Sequence, residues 1–338
     1  MSPQSEYPAV SSMVGDSAAM RHLKGLLQCY ARCNASVLIE GETGTGKELV
    51  ARELHYASAR RDQPFVPVNC GALPDTLLEA ELFGHRRGAF TDARSSEQGL
   101  VEFARGGTLF LDEVDSLSAH AQTTLLRFLQ SGEFRVVGER SVRTADVRVL
   151  AATNAPLLQA IEQGRFRSDL YYRLGALQLT LPPLRERGHD IQLLALHLLG
   201  ELRERFGLAA CEWTAPALQA LSRHDWPGNV RELENVILRA CVRVGGGEIG
   251  VDDLAAAAGS VFAASALGMP APPVVPQEEG VLSFSDAKQR AIDRFEQGYL
   301  TQLMARSNYN VSRAATLADT ERRHLGRMLK RHGIARPD

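Results

Sequence analysis

No cationic excess marks this chain as a partner of polyanions. Its 38 Lys+Arg are offset by 40 Asp+Glu, for a formal charge of −2 at pH 7. Nor does any apolar run approach the roughly 20 residues that cross a bilayer. The opening residues, MSPQSEYPAV, have neither the basic nor the apolar stretch of a secretory signal. Cysteine is scarce and poorly spaced for metal or disulfide chemistry. Cys29 and Cys33 stand one helical turn apart, but Cys70, Cys211 and Cys241 supply no second pair. Reduced thiols in a cytoplasmic protein without membrane association are therefore expected. No internal repeat is found.

What is present fits a folded chain of 338 residues. A hydrophobic content of 44% with 23% charged residues excludes wholesale disorder. The near-neutral total averages two unlike parts. From Asp286 onward 11 Lys+Arg face 6 Asp+Glu, whereas the preceding 285 residues carry 27 against 34. An acidic body with a basic tail points to one task for the body and nucleic-acid contact for the tail.

From Val14 to about Leu181, short apolar runs alternate with helical patterns. SVLIE (Ser36 to Glu40), FVPVN (Phe65 to Asn69), TLFLDEV (Thr108 to Val114) and VRVLAATN (Val147 to Asn154) are nearly continuous, as strands of a parallel sheet covered on both faces must be. Beyond Leu181 the strand signal disappears, and short helices are expected to about Ala258, broken at Gly188, Gly207 and Trp226-Pro227-Gly228. From Ala255 to Gly280 the composition turns to Ala, Pro and Gly and reads as a linker. A helix restarts near Ser285, with Ala287, Ala291, Ile292, Phe295, Leu300, Leu303 and Met304 forming an apolar stripe.

Gly41-Glu42-Thr43-Gly44-Thr45-Gly46-Lys47 follows a strand and opens a helix. Glycines there let backbone N–H groups close around phosphates, the helix N-terminus adds its dipole, and Lys47 reaches the terminal phosphates. Glu48 stands where Ser or Thr usually meets magnesium. The strand ending in Asp112-Glu113 supplies acids for the missing tasks: Asp112 to hold Mg2+ through water, Glu113 to polarise a water for attack on the γ-phosphate of ATP. Asn154, at the end of the next strand, is a candidate to orient that water.

These motifs closely resemble the bacterial enhancer-binding proteins, the AAA+ ATPases that activate RNA polymerase carrying sigma-54. The resemblance covers about Val14 to Ala258 and returns in the tail. In that family the phosphate loop ends in Lys-Glu, which accounts for Glu48. Gly88-Ala89-Phe90-Thr91-Asp92-Ala93, preceded by Glu81-Leu82-Phe83-Gly84-His85, is similar to the family's Gly-Ala-Phe-Thr-Gly-Ala loop. The resemblance makes Phe90 and Thr91 the contacts to sigma-54, an exposed apolar feature of the kind that meets partners. Asp92 departs from the family's glycine, although Asp tolerates left-handed backbone better than most residues. The resemblance further implies Asn69 as the switch residue that restrains Glu113, and Arg167 and Arg173 as arginine fingers reaching a neighbouring subunit. It implies Arg231 as the sensor on bound nucleotide and Val14-Gly15 as the adenine-side entry. Ser131 to Arg143 falls at the family's second pore loop and receives no residue-level role.

The tail, NVSRAATLADTERRHLGRMLKRHGI, divides into helices from Val311 to Ala318 and Thr320 to His332. It resembles a Fis-type helix-turn-helix DNA-binding domain. Ala314, Ala315, Leu317, Leu325 and Leu329 form its expected seam. Arg322, Arg323 and Arg327 suit the major groove, and Arg313, Lys330 and Arg331 complete the DNA-binding set. Asp319 replaces the usual turn glycine, and Gly326 interrupts the second helix.

The expected architecture is a short extension (1–13), an AAA+ α/β subdomain (14–183), a helical lid (184–258), a linker (259–284) and the helix-turn-helix domain (285–338). The expected function is ATP-driven opening of sigma-54 promoter complexes by a hexameric ring, assembled from dimers bound to an upstream double-stranded DNA enhancer. An alternative is a DNA-binding AAA+ regulator or repressor uncoupled from sigma-54, which Asp92 alone suggests. With so few residues before Val14, no receiver or sensory domain is expected within this sequence, unless it is a piece of a longer chain. Control is expected from abundance or from a regulatory protein in trans.

Overall fold

The computed structural model describes residues 13–72, 75–89, 95–258, 300, 303–304, 307, 311–317, 320 and 322–331. Phe90, Thr91 and Asp92, the linker 259–284, the helix start at Ser285 with Ala287, Ala291, Ile292 and Phe295, and Asp319 lie outside these residues. So do the side chains of Leu317, Arg323, Lys330 and Arg331. The chain divides into two units, Met1–Pro272 and Pro273–Asp338.

In the first unit five strands form one parallel sheet: β1 (Val37–Glu40), β2 (Phe65–Asn69), β3 (Thr108–Asp112), β4 (Arg148–Thr153) and β5 (Leu177–Thr180), in the order β2-β3-β4-β1-β5. The four apolar runs supply β1 to β4, and β5 is an edge strand whose alternating burial the sequence reading did not single out. β3 stops at Asp112, and Val114 begins a short 3-10 turn instead of extending the strand. Both faces of the sheet are covered, one by Leu109, Leu111, Val149 and Ala151 with Leu125 and Leu170, the other by Ile39, Phe110, Leu150 and Ala152 with Leu23 and Val50. Burial on two faces is why these strands read as unbroken apolar runs.

The lid carries helices Asp190–Phe206, Ala215–Leu221, Asn229–Val244 and Val251–Ala258 around Trp226, Leu233 and Ile237. Contrary to the all-helical expectation, Cys211–Trp213 pairs in parallel with Gly247–Ile249. Three residues are too few to show a period-2 pattern. The segment expected as a second pore loop is an antiparallel pairing of Glu133–Phe134 with Arg143–Thr144. No helix among the described residues is long and apolar enough to cross a membrane.

In the second unit Val311–Leu317 and Arg322–Arg331 are helices, and Thr320, expected to open the second, is a bend residue outside it. Ala314, Ala315, Leu325 and Leu329 are buried with Leu300, Leu303 and Met304. Arg313, Arg322 and Arg327 are exposed.

Candidate nucleotide-binding site

The loop from Gly41 to Gly46 leaves the end of β1 and runs into helix Lys47–Tyr56. Two positions demand glycine. Gly46, the helix N-cap, has φ 101°, and Gly44 has φ 79° with backbone so close that a Cβ would stand 2.3 Å from the Gly228 carbonyl oxygen. Lys47 is only 9% exposed and donates to the carbonyls of Gly41 (2.9 Å) and Glu42 (3.1 Å). Burial pulls its pKa down, while Asp112, Asp115 and Glu113 push it back up. Thr45 Oγ1 closes the turn onto the Glu42 carbonyl at 2.7 Å.

The neighbouring strands bring acids and an amide to the same edge. Asp112 ends β3 in register with Asn69, the last residue of β2. Burial raises the Asp112 pKa, opposed by the Glu113 backbone N–H at 2.9 Å and by Lys47. Glu113 sits in left-handed backbone at φ 56°, ψ 46°, an uncommon conformation for a non-glycine residue that breaks the strand direction. Its carboxylate lies over Gly71, where a Cβ would stand 2.5 Å from Glu113 Oε2. Asn69 Oδ1 accepts the Gly71 N–H at 2.8 Å, so Asn69 and Glu113 meet around this glycine. At the end of β4, Asn154 donates to Thr43 Oγ1 at 3.2 Å, and Thr153 Oγ1 donates to Asp115 at 2.6 Å.

Glu48 is held by Arg52 through a forked contact at 2.7 and 3.0 Å. Asp112 offers one carboxylate beside Lys47. Magnesium typically keeps waters and binds through one or two carboxylates plus substrate phosphates, and this hard-oxygen donor fits it.

The lid closes the loop from behind. Arg185 forks onto Glu42 at 2.6 and 2.9 Å, Asn229 donates to Glu42 Oε2 and the Thr43 carbonyl, both at 3.1 Å, the Val230 N–H donates to the Gly44 carbonyl at 2.9 Å, and Arg187 donates to the Thr45 carbonyl at 2.9 Å. The Arg185 contact, with Asn229, holds the Glu42 pKa down at about 2. Arg231 follows directly, its Cβ 3.2 Å from where a Cβ on Gly44 would be. On the other side Asp190, fully buried, accepts the N–H groups of Asp16 (2.7 Å) and Ser17 (2.9 Å) and so pins the segment beginning at Val14-Gly15. Val14 packs against the lid core.

Two sequence candidates lie elsewhere. Arg167 is engaged by Asp169 at 2.7 and 3.0 Å, and Arg173 donates to the carbonyls of Leu129 and Gln130 at the end of helix Ala119–Ser131. A cavity of about 420 Å³ opens beside Arg173, walled by Ser36, Phe128, Asp146 and Tyr172, and does not coincide with the phosphate loop. The loop, not this cavity, is the open cradle of backbone N–H groups that anions need. Gly71, Arg185, Arg187 and Asp190 carry no motif of their own, and Asn229, which lies in the segment Trp226 to Leu233 that resembles the family's lid sensor, has no role legible from the sequence. Only their place beside the loop and its lid identifies them.

The chain matches the Sigma-54 interaction domain over residues 13–180 and the AAA+ ATPase lid domain over residues 185–261. It is 41% identical over 329 residues to regulatory protein LuxO of Vibrio cholerae, covering 95% of this chain and 61% of LuxO. It is 42% identical over 324 residues to the anaerobic nitric oxide reductase transcription regulator NorR of Salmonella newport, covering 95% of this chain and 63% of NorR. The chain therefore spans less than two thirds of these curated relatives. Among solved structures it resembles NtrX from Brucella abortus in complex with ATP, with a TM-score of 0.74 and 31% identity over 96% of this chain and 69% of that one.

Proposed function

The chain belongs to the sigma-54-dependent transcriptional regulators, and from that membership we propose that it is an ATPase that drives sigma-54 RNA polymerase from closed to open promoter complexes. The observation that carries this reading is the convergence of Lys47, Asp112, Glu113 and Asn154 on one edge of the parallel sheet, around the loop Gly41 to Gly46. Loop N–H groups and Lys47 bind the phosphates of ATP. Asp112 would hold Mg2+, which screens phosphate charge when bound. Glu113 polarises the attacking water, Asn154 orients it, and Asn69 restrains Glu113 through the turn they share at Gly71. Arg231 contacts the nucleotide from the lid, and Val14-Gly15 borders the base.

Arg167 and Arg173, which face partners other than their own loop, serve the site of a neighbouring subunit in a ring, taken as a hexamer. The loop bearing Phe90 and Thr91 contacts sigma-54. The tail, with its domain at 285–338, binds an upstream DNA enhancer as a Fis-type helix-turn-helix dimer, supported by exposed Arg313, Arg322 and Arg327 over a buried apolar seam. Signal input comes from a regulatory protein in trans or from abundance, and the compartment is the cytoplasm.

ATP hydrolysis by the purified chain, compared with Lys47→Ala, tests the enzymatic half: the wild type hydrolyses ATP and the variant does not. Equal rates would sink it. Asp92 favours one second reading, a DNA-binding AAA+ regulator uncoupled from sigma-54. In that case Lys47→Ala regulates its promoter at full strength.

A further inference from the structure

Glu42 puts a carboxylate inside a loop that must receive polyanionic phosphates, an arrangement that weakens binding unless something else compensates. The structure supplies the compensation from the lid. Arg185 covers Glu42 with a two-pronged contact at 2.6 and 2.9 Å, and Asn229 adds a third donor at 3.1 Å while its own Oδ1 accepts the Leu184 N–H at 2.8 Å. Asn229 is fully buried in left-handed backbone at φ 52°, a conformation Asn tolerates.

The consequence for the loop follows from peptide geometry. In a planar trans peptide the carbonyl of one residue points opposite to the N–H of the next. The lid draws the carbonyls of Thr43, Gly44 and Thr45 toward Asn229, Val230 and Arg187. The N–H groups of Gly44 and Gly46 therefore turn the other way, into the cradle. A lid that lets go of the loop leaves those peptides free to rotate, and the cradle loses its shape.

We propose that Arg185, acting through Glu42, is a positioning residue for nucleotide binding: the lid's grip on the Glu42 carboxylate holds the phosphate loop in its anion-receiving form. This rests on the ATPase reading above and adds that lid and loop bind nucleotide as one unit. Arg185 touches no substrate in this role. It acts on the loop, and Asn229 reinforces it.

The test is equilibrium binding of ATP and its analogues, with steady-state hydrolysis, for wild type, Arg185→Ala, Arg185→Lys, Glu42→Gln and the double variant. Arg185 and Glu42 are about two-fifths exposed, so each variant folds, and the thermal melt checks it. The clasp predicts about fivefold weaker binding for Arg185→Ala and for Glu42→Gln, with KM rising by more than kcat falls, the size expected for an exposed but forked and networked ion pair. The double variant is no weaker than either single one, and Arg185→Lys recovers part of the loss. A simple point-charge role predicts the opposite sign for Glu42→Gln, since removing a negative charge beside phosphates tightens binding. Tighter binding by Glu42→Gln, or additive losses in the double variant, overturns the proposal. A wild-type chain that binds no ATP overturns the ATPase reading itself, so the two failures are told apart.

Discussion

Gly71 yields its side-chain space to Glu113: a Cβ on Gly71 would stand 2.5 Å from Glu113 Oε2, and the same glycine donates its N–H to Asn69 Oδ1 at 2.8 Å. One small residue thus sets the distance between the acid proposed to polarise water and the amide proposed to restrain it. Gly71→Ala clashes only with the end of a flexible side chain, so the fold survives while the carboxylate shifts. Displacing a catalytic group by about 1 Å can cost on the order of 100-fold in rate. We expect kcat to fall by about that much, with ATP binding nearly unchanged, in a steady-state assay beside equilibrium binding. Wild-type turnover would show that Glu113 does not need its present place.

Arg167 and Arg173 contact Asp169 and the carbonyls of Leu129 and Gln130, away from their own phosphate loop. If they complete a neighbour's site, Arg167→Ala and Lys47→Ala chains are each inactive alone but active when mixed. A mixed ring places an intact loop against an intact arginine at about a quarter of its junctions, so roughly that share of wild-type hydrolysis should return at a 1:1 ratio. A mixture as inactive as its components would show that the arginine does not act across subunits.

His224 Nδ1 accepts the Trp226 N–H at 3.0 Å, which requires a neutral ring, and burial lowers the His224 pKa below its ordinary value. The unfolded chain then takes up a proton that the folded chain refuses. Stability is complete above about pH 6.5 and is lost as pH falls below that, by at most ~1.4 kcal/mol per pH unit for each such histidine. His55, also buried and bonded to Thr108 Oγ1, has the same sign. The melting temperature should therefore drop between pH 7 and pH 5, and His224→Gln, which keeps an acceptor but cannot titrate, should flatten part of that slope. An unchanged slope would remove His224 as a cause.

Thr91 belongs to the loop assigned to sigma-54 contact by sequence alone. Thr91→Ala should hydrolyse ATP yet form no open complexes when both are measured on one preparation. Normal activation by this variant would show that the loop contact lies elsewhere.

The contiguous parts of the site are legible in the sequence. A strand, a glycine loop and a lysine must be adjacent to work, as must Asp112 and Glu113 at the end of an apolar run. The parts that hold the loop in shape are not. Arg187 reaches Thr45 across 142 residues, Arg185 reaches Glu42 across 143, and Asn229 reaches Glu42 across 187. Nothing in a single sequence pairs residues so far apart. Asp190 illustrates the same limit, since an acid at the start of a helix reads as an ordinary dipole partner until the backbone of Asp16 and Ser17 is seen against it. In the fold, the four apolar strands of the sheet interior are legible because burial on both faces leaves a continuous apolar run. The edge strand Leu177–Thr180 and the lid pair Cys211–Trp213 with Gly247–Ile249 are not, being half-exposed or three residues long.

The most direct test is open-complex formation on a sigma-54 promoter, with polymerase holoenzyme, this protein, and either ATP or a non-hydrolysable analogue. ATP-dependent opening, absent with the analogue and absent with Lys47→Ala, is the predicted result. Robust ATP hydrolysis without any opening would contradict the activator reading and leave a nucleotide-driven DNA-binding regulator in its place.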